Sequence, residues 1–189
     1  YNRDLLGVDR AGATPFWRAA YALDIDAMHL LLAHGADPHL PTRIVPSRRR
    51  PLDPDPSGLP PMELGGPAVS PLLAASGVGY GQGYAGNTHR HVPDGWLPAV
   101  RFLVEEVDAD VPSLDHNGYN AMHHAAARGD NELVLYLVER GVDVTQVSRR
   151  GQTTVDMANG PVQRIQPFPE TIALLERLGA KNNHRCLSC

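Results

Sequence analysis

The stretch DHNGYNAMHHAAARGDNELVLYLVERGVDV, residues 115–144, has a near copy earlier in the chain: DRAGATPFWRAAYALDIDAMHLLLAHGADP, residues 9–38. Each opens on Asp-x-x-Gly, runs through an apolar stretch to an Ala-Ala pair, then passes through a second apolar stretch to Gly-x-Asp. A further copy begins at RRGQTTVDMANG, residues 149–160, and Gly118 and Gly151 stand 33 residues apart. A fixed period of this size marks units that cannot bury their apolar faces alone and must stack on their neighbours. Within the copies, Met28 with Leu30, Leu31 and Leu32, and Leu133, Val134, Leu137 and Val138, follow the i, i+3, i+4 spacing of a helix with one buried face. Thr14 before Pro15 and Ser70 before Pro71 predict helix N-caps with a preset first turn. Gly35 and Gly141 predict the left-handed stop after the second helix. The small Ala pairs predict closely packed helices.

The second unit is divided. Ser70 takes the place of Thr14 but lies 56 positions on, 23 more than one repeat, and Asn120 follows Ser70 by 50, 17 more than one repeat. Its halves are SPLLAAS, residues 70–76, and WLPAVRFLVEEVDADV, residues 96–111. Taken together, these motifs resemble the ankyrin-repeat family, whose hallmarks are Thr-Pro-Leu-His-x-Ala-Ala and, later, Leu-Leu-x-x-Gly-Ala-Asp. The first hallmark reads here as Thr14-Pro15-Phe16-Trp17-Arg18-Ala19-Ala20 and as Asn120-Ala121-Met122-His123-His124-Ala125-Ala126. The second reads as Leu31-Leu32-Ala33-His34-Gly35-Ala36-Asp37. The resemblance implies an all-α solenoid of helix-turn-helix units with two long irregular insertions. The repeats fall at about 9–40, 66–114, 115–147 and 148–181, the insertions at about 41–65 and 77–95, and a tail at 182–189. The resemblance also makes His123 the motif histidine that bonds backbone, a structural role.

The ends carry their own expectations. Residues 2–9 fill the slot of a linker between repeats, which suggests the C-terminal part of a longer chain. PETIALLERLGAKNN, residues 169–183, reads as a final outer helix with polar outward positions at Glu170, Glu176 and Arg177, as a capping repeat needs.

Composition narrows the chemistry. A net charge of −4 and the absence of any apolar run near the length of a membrane span argue against nucleic-acid binding and against a membrane span. The first insertion is proline-rich and reads as an extended excursion, with Arg48, Arg49 and Arg50 balanced by Asp53 and Asp55. The same arginine run could grip phosphates or an acidic partner. In the second insertion, Gly81-Gln82-Gly83-Tyr84-Ala85-Gly86 matches Gly-x-Gly-x-x-Gly but follows a helix, not the strand that dinucleotide binding requires. Tyr80 and Tyr84 better suit a loop with adhesive aromatic tips. His89 and His91 share a face if extended, yet no complete ligand set lies near them in sequence, so neither a metal nor another cofactor is expected. The sequence contains no nucleophile elbow, phosphate-binding loop, His-Glu-x-x-His or calcium loop, and no enzymatic activity is expected.

The leading expectation is a protein-interaction module. The resemblance implies a partner surface of hairpin tips, namely Arg10, Ala11 and Ala13, then His116, Asn117 and Tyr119, then Arg149, Arg150 and Gln152, extended along the inner helices by Tyr21 and Arg128. Tyr119 and the arginine pair are the foremost expected contacts, since Tyr and Arg dominate interface hot spots. One alternative is self-association into an oligomer or filament through open solenoid ends and the insertions. Another is a metal or redox protein using the tail NNHRCLSC, residues 182–189, whose Cys186 and Cys189 are the only cysteines. His184 with these two makes three ligands, one short of a closed zinc site. A disulfide between Cys186 and Cys189, or to another chain, and an inert frayed end are the other readings.

Overall fold

One residue ahead of each inner helix decides where that helix starts. In a computed structural model describing residues 8, 10–46, 55–80, 94–160 and 166–185, the chain folds as helix pairs: α1 (Pro15–Ala22) and α2 (Ile25–Ala33), α3 (Pro71–Ala75) and α4 (Trp96–Glu105), α5 (Ala121–Ala126) and α6 (Asn131–Glu139), α7 (Thr154–Ala158) and α8 (Pro169–Arg177). Thr14, Ser70, Asn120 and Thr153 hold extended backbone at the four inner N-caps, and each side-chain oxygen accepts the N–H three residues on. This satisfies one of the donors that a helix start leaves open. Asp24 and Asp130 cap α2 and α6 in the same way, whereas α4 and α8 follow longer connections and have no side-chain cap bond.

The inner helices form one row, α1 on α3, α3 on α5 and α5 on α7, and each also packs on its own outer helix. Ala20, Ala74, Ala75, Ala125 and Ala126 are wholly buried along this row, where a bulkier side chain would push the helices apart. Trp17, Phe16, Leu72, Leu73, Met122, Leu133, Leu137 and Met157 fill the space between the rows. The arrangement is an all-α helix-turn-helix solenoid; among the described residues β structure is limited to an isolated antiparallel bridge between Arg43 and Pro67.

The motif position, third after the inner cap residue, ties one unit to the next in the first and third units, whereas in the second it holds the apolar Leu73. Trp17 donates its indole N–H to the carbonyl of Val69 at 2.9 Å. His123 places Nε2 3.4 Å from the carbonyl of Gln152 and Nδ1 against Asn120. Val69 and Gln152 each stand one residue before the next inner cap, so indole and imidazole do the same work with different rings. In α7 the position is Asp156, which accepts from Thr153 N–H at 2.9 Å and from Asn183 N–H at 3.1 Å.

Two expectations need correction. The apolar run of α2 is not buried throughout: Leu30 is 61% exposed. The turn bonds Ala36 N–H to Leu31, Ala109 N–H to Leu103 and Val142 N–H to Leu137 align Leu30 with Phe102 and Tyr136. Phe102 lies against His29 and Tyr136 donates to Glu105, so this position meets the preceding outer helix. No outer helix precedes α2 among the described residues. The second correction is an added interruption. Ala158 to Pro169 spans 11 positions where Ala126 to Asn131 spans 5, so the connection from α7 to α8 is also lengthened.

The first insertion grows out of a hairpin tip. Thr42 N–H donates to Val69 O at 3.0 Å, Ala68 N–H to Thr42 O at 2.8 Å, and Ile44 pairs with Gly66 and Gly65 at 2.9 Å. Residues 42–44 and 65–69 are thus the two arms of an enlarged second tip. Arg48, Arg49, Arg50, Asp53, the Gly81–Gly86 motif with Tyr84, His89, His91, Cys186 and Cys189 lie outside the described residues.

Candidate functional site

The hairpin tips line up because each is hydrogen-bonded to the next. Arg43 N–H donates to Ala11 O at 2.8 Å, His116 N–H to Ala68 O at 2.9 Å, and Arg149 N–H to Asn117 O at 2.9 Å. The third tip is shaped from within by Asp115, whose Oδ1 accepts from Asn117 N–H at 2.8 Å and Tyr119 N–H at 3.0 Å. Such aspartate-bounded turns fix the backbone without help from a sheet. Asn117 and His116 meet through Nδ2 and Nε2 at 3.1 Å, and His116 Nδ1 lies 3.4 Å from Ala68 O.

The expected contact residues fall into two groups. Ala11 and Arg150 are exposed on the tips, and Arg10, Ala13, His116, Asn117 and Arg149 are half-buried there. Tyr119, Gln152, Tyr21 and Arg128 are interior, which corrects the expectation that a partner would meet them. Tyr119 is 2% exposed and donates its hydroxyl to Gln152 Oε1 at 2.5 Å. Burial pushes its phenol up to about 12. Gln152 passes the connection on, giving its amide N–H to Arg185 O at 2.9 Å. Tyr21 stacks on Trp17 at 5.1 Å. Arg128 lies 3.6 Å over the Trp96 ring, pairs with Asp130 at 2.8 Å, and donates to His124 O at 3.0 Å and to Ser76 O. Burial brings its guanidinium down to about 10 against the attraction of Asp130, so it stays charged while locking α5 to α4.

Sequence reasoning missed the other half of the site. Residues 55–60 of the first insertion return to the third and fourth tips, where Arg149 donates Nη1 to Asp55 Oδ2 at 2.5 Å and Nη2 to Pro60 O at 2.6 Å. Asp55 therefore pairs across 94 positions of sequence with a tip arginine. Bonds from Ser57, with Arg149 adding to them, hold the Asp55 carboxyl below the usual carboxylate range. A separate groove of about 440 Å³ opens beside the second and third tips, lined in part by His39, Pro67, Ser70, Asp110 and His116. Among the described residues no group of three or more His, Cys, Asp or Glu is placed to hold a metal ion, and no helix is long and apolar enough to cross a membrane.

A family model described as ankyrin repeats (many copies) matches residues 103–158, from within α4 to the end of α7. Over this stretch the chain is similar to the ankyrin-repeat family. It is also similar to Ankyrin repeat and SAM domain-containing protein 6 of Rattus norvegicus, 39% identical over 64 residues, and to the protein of the same name from Mus musculus, 38% identical over 64 residues. Each match covers 33% of this chain and 7% of the relative. The family match falls where the ankyrin period is unbroken, since both insertions lie before residue 103. Ankyrin repeats generally mediate protein–protein interaction, and the tips of this chain carry Arg10, Arg43, Arg149 and Arg150.

Proposed function

We propose that this chain is a non-enzymatic protein-interaction module whose partner meets the face made by the hairpin tips and the inner helices behind them. The observation that carries the reading is the charge of that face. Arg10, Arg43, Arg149 and Arg150 all sit on the tips, in a chain whose net charge is −4. The tips are tied in register by backbone bonds of 2.8 to 2.9 Å, so the guanidinium groups project from a fixed frame. A frame that is ordered before binding loses less entropy on association. Planar guanidinium donors suit carboxylates and main-chain carbonyls of an acidic polypeptide.

The test is site-resolved cross-linking. A photo-reactive residue is placed at Ala11 or Arg150 on the tips, or at Leu135 on the exposed side of α6, and each protein is irradiated in extract. The expected result is a discrete cross-linked polypeptide from both tip positions and none from Leu135. Capture from Leu135 with silence at both tips would refute the reading.

A further inference from the structure

The tips of the third and fourth repeats already hold a length of polypeptide. Residues 55–60, Asp-Pro-Ser-Gly-Leu-Pro, lie across them, and one guanidinium organises the contact. Arg149 Nε is pinned by His116 O at 2.9 Å, while its terminal nitrogens reach Asp55 Oδ2 at 2.5 Å, Leu59 O at 3.4 Å and Pro60 O at 2.6 Å. Two glycines provide the seats on either side. A Cβ on Gly118 would stand 2.9 Å from Leu59 Cδ1, and one on Gly151 would stand 3.3 Å from Pro56 Cγ. The segment shapes itself for this contact, since Asp55 Oδ1 accepts from Ser57 N–H at 2.9 Å and Ser57 Oγ accepts from Leu59 N–H at 3.2 Å. Its chemistry matches the cradle: proline withholds N–H donors and leaves carbonyls, and arginine offers donors only.

The hold is also slight. Asp55 and Arg149 side chains are 37% and 16% exposed, and Pro56, Gly58 and Pro60 face solvent. A pair this accessible contributes little by itself. Most of the segment's advantage is that it is tethered to its own receptor, at an effective concentration on the order of 1 mM.

We infer that Arg149 with the Gly118 and Gly151 seats is a binding site for an extended, acidic, proline-containing segment, Asp followed four residues later by Leu-Pro, which residues 55–60 fill in cis and a partner polypeptide of the same pattern fills by displacing them. The inference rests on the interaction reading above and names the partner's chemistry. The first insertion then acts as an internal competitor that sets how strong a partner must be.

The experiment uses the full chain and a fluorescein-labelled peptide of residues 55–62, followed by anisotropy. The opened chain carries Asp55→Ala and Leu59→Ala, which leave Arg149 and both glycines in place. Expected are saturable binding to the opened chain, about tenfold weaker binding to the intact chain because of the tethered competitor, and loss of binding when Arg149→Ala is added. Because Arg149→Ala could disturb the fold, the change is also made on the other side: peptides with Asp55→Ala or Leu59→Ala should bind the opened chain several-fold more weakly. Equal affinity for intact and opened chains, no binding to the opened chain, or indifference to both peptide changes would each overturn the inference. So would an intact chain that is dimeric by light scattering and becomes monomeric when opened, because the occupant would then be a second copy. Cross-linking from Arg150 separates the two readings: tip capture with no peptide binding sinks this inference alone, whereas loss of tip capture sinks both.

Discussion

Acid should unfold this protein through α5. His123 and His124 are both fully buried there. Burial pushes His123 down to about 4 from an ordinary 6.5, against weaker opposing contributions from the Gln152 and Gln146 carbonyls and Asp143. His124 is held well below its ordinary value, first by burial and then by His123 and Arg128; this outweighs the attraction of Asp115, whose Oδ2 lies 3.7 Å away. The sign follows from proton counts. Between about pH 6.5 and 4 the unfolded chain binds protons at these positions and the folded chain does not. Stability is therefore complete above the unfolded value and drains as the pH falls towards the folded one. For His123 alone, integrating from pH 7 to pH 5 gives a loss of about 2 kcal/mol, and His124 adds to it with the same sign. The assay is urea unfolding followed by circular dichroism at pH 7, 6 and 5, on the natural chain and on His123→Gln. In the variant the loss between pH 7 and 5 should shrink by about 2 kcal/mol, whatever its stability at pH 7. Equal losses in the two proteins, or natural-chain stability that stays level down to pH 5, would refute the reasoning.

Substitutions at three further positions test interior and tip assignments. Tyr119→Phe leaves Gln152 Oε1 without the hydroxyl it accepts from; it should cost about 1–2 kcal/mol in thermal or urea unfolding and leave tip cross-linking unchanged. Arg128→Ala removes the cation over Trp96 and its bonds to Asp130, His124 and Ser76; it should cost about 2–4 kcal/mol, and Arg128→Lys should restore little of that because an ammonium cannot stack and fork together. Gly118→Ala places a side chain at φ +81 and 3.2 Å from Arg149 N; it should cost about 1–2 kcal/mol and raise peptide affinity for neither the intact nor the opened chain.

What could be read from the sequence was local. Thr14 and Ser70 announced inner helices because a cap acts over three residues, and the 33-residue spacing of Gly118 and Gly151 reflects turns that recur with the repeat. The failures are non-local. Tyr119 reads as a tip tyrosine beside a glycine, the profile of a contact residue. Yet its hydroxyl finds Gln152 one full repeat away, and its ring lies 5.3 Å from His123 and 5.9 Å from His124. Arg128 reads as an exposed helix-end cation until Trp96 is seen to approach it from the preceding outer helix. Asp55 reads as a counter-charge for Arg48, Arg49 and Arg50 because they are near in sequence. Its bonded partner, Arg149, is reached only when a loop crosses two repeats. In each case stacking, not spacing, decides which face a side chain presents.

Asp156 carries that argument to the tail. At this motif position the first and third units place a ring nitrogen that meets a carbonyl of the following unit, Trp17 against Val69 and His123 against Gln152. A carboxylate reverses the polarity: it can only accept, so it needs N–H groups to approach it. Asn183 N–H supplies one at 3.1 Å and Arg185 N–H another at 3.3 Å. Thr153 Oγ1 then donates to Lys181 O at 2.6 Å and Asn183 Nδ2 to Gly151 O at 3.1 Å, so residues 181–185 lie where the preceding units receive the next tip. The first residues of NNHRCLSC are therefore not a frayed end. They cover the fourth hairpin as the third is covered by the fourth, with a carboxylate at residue 156 accepting from plain backbone where Trp17 and His123 each face a carbonyl.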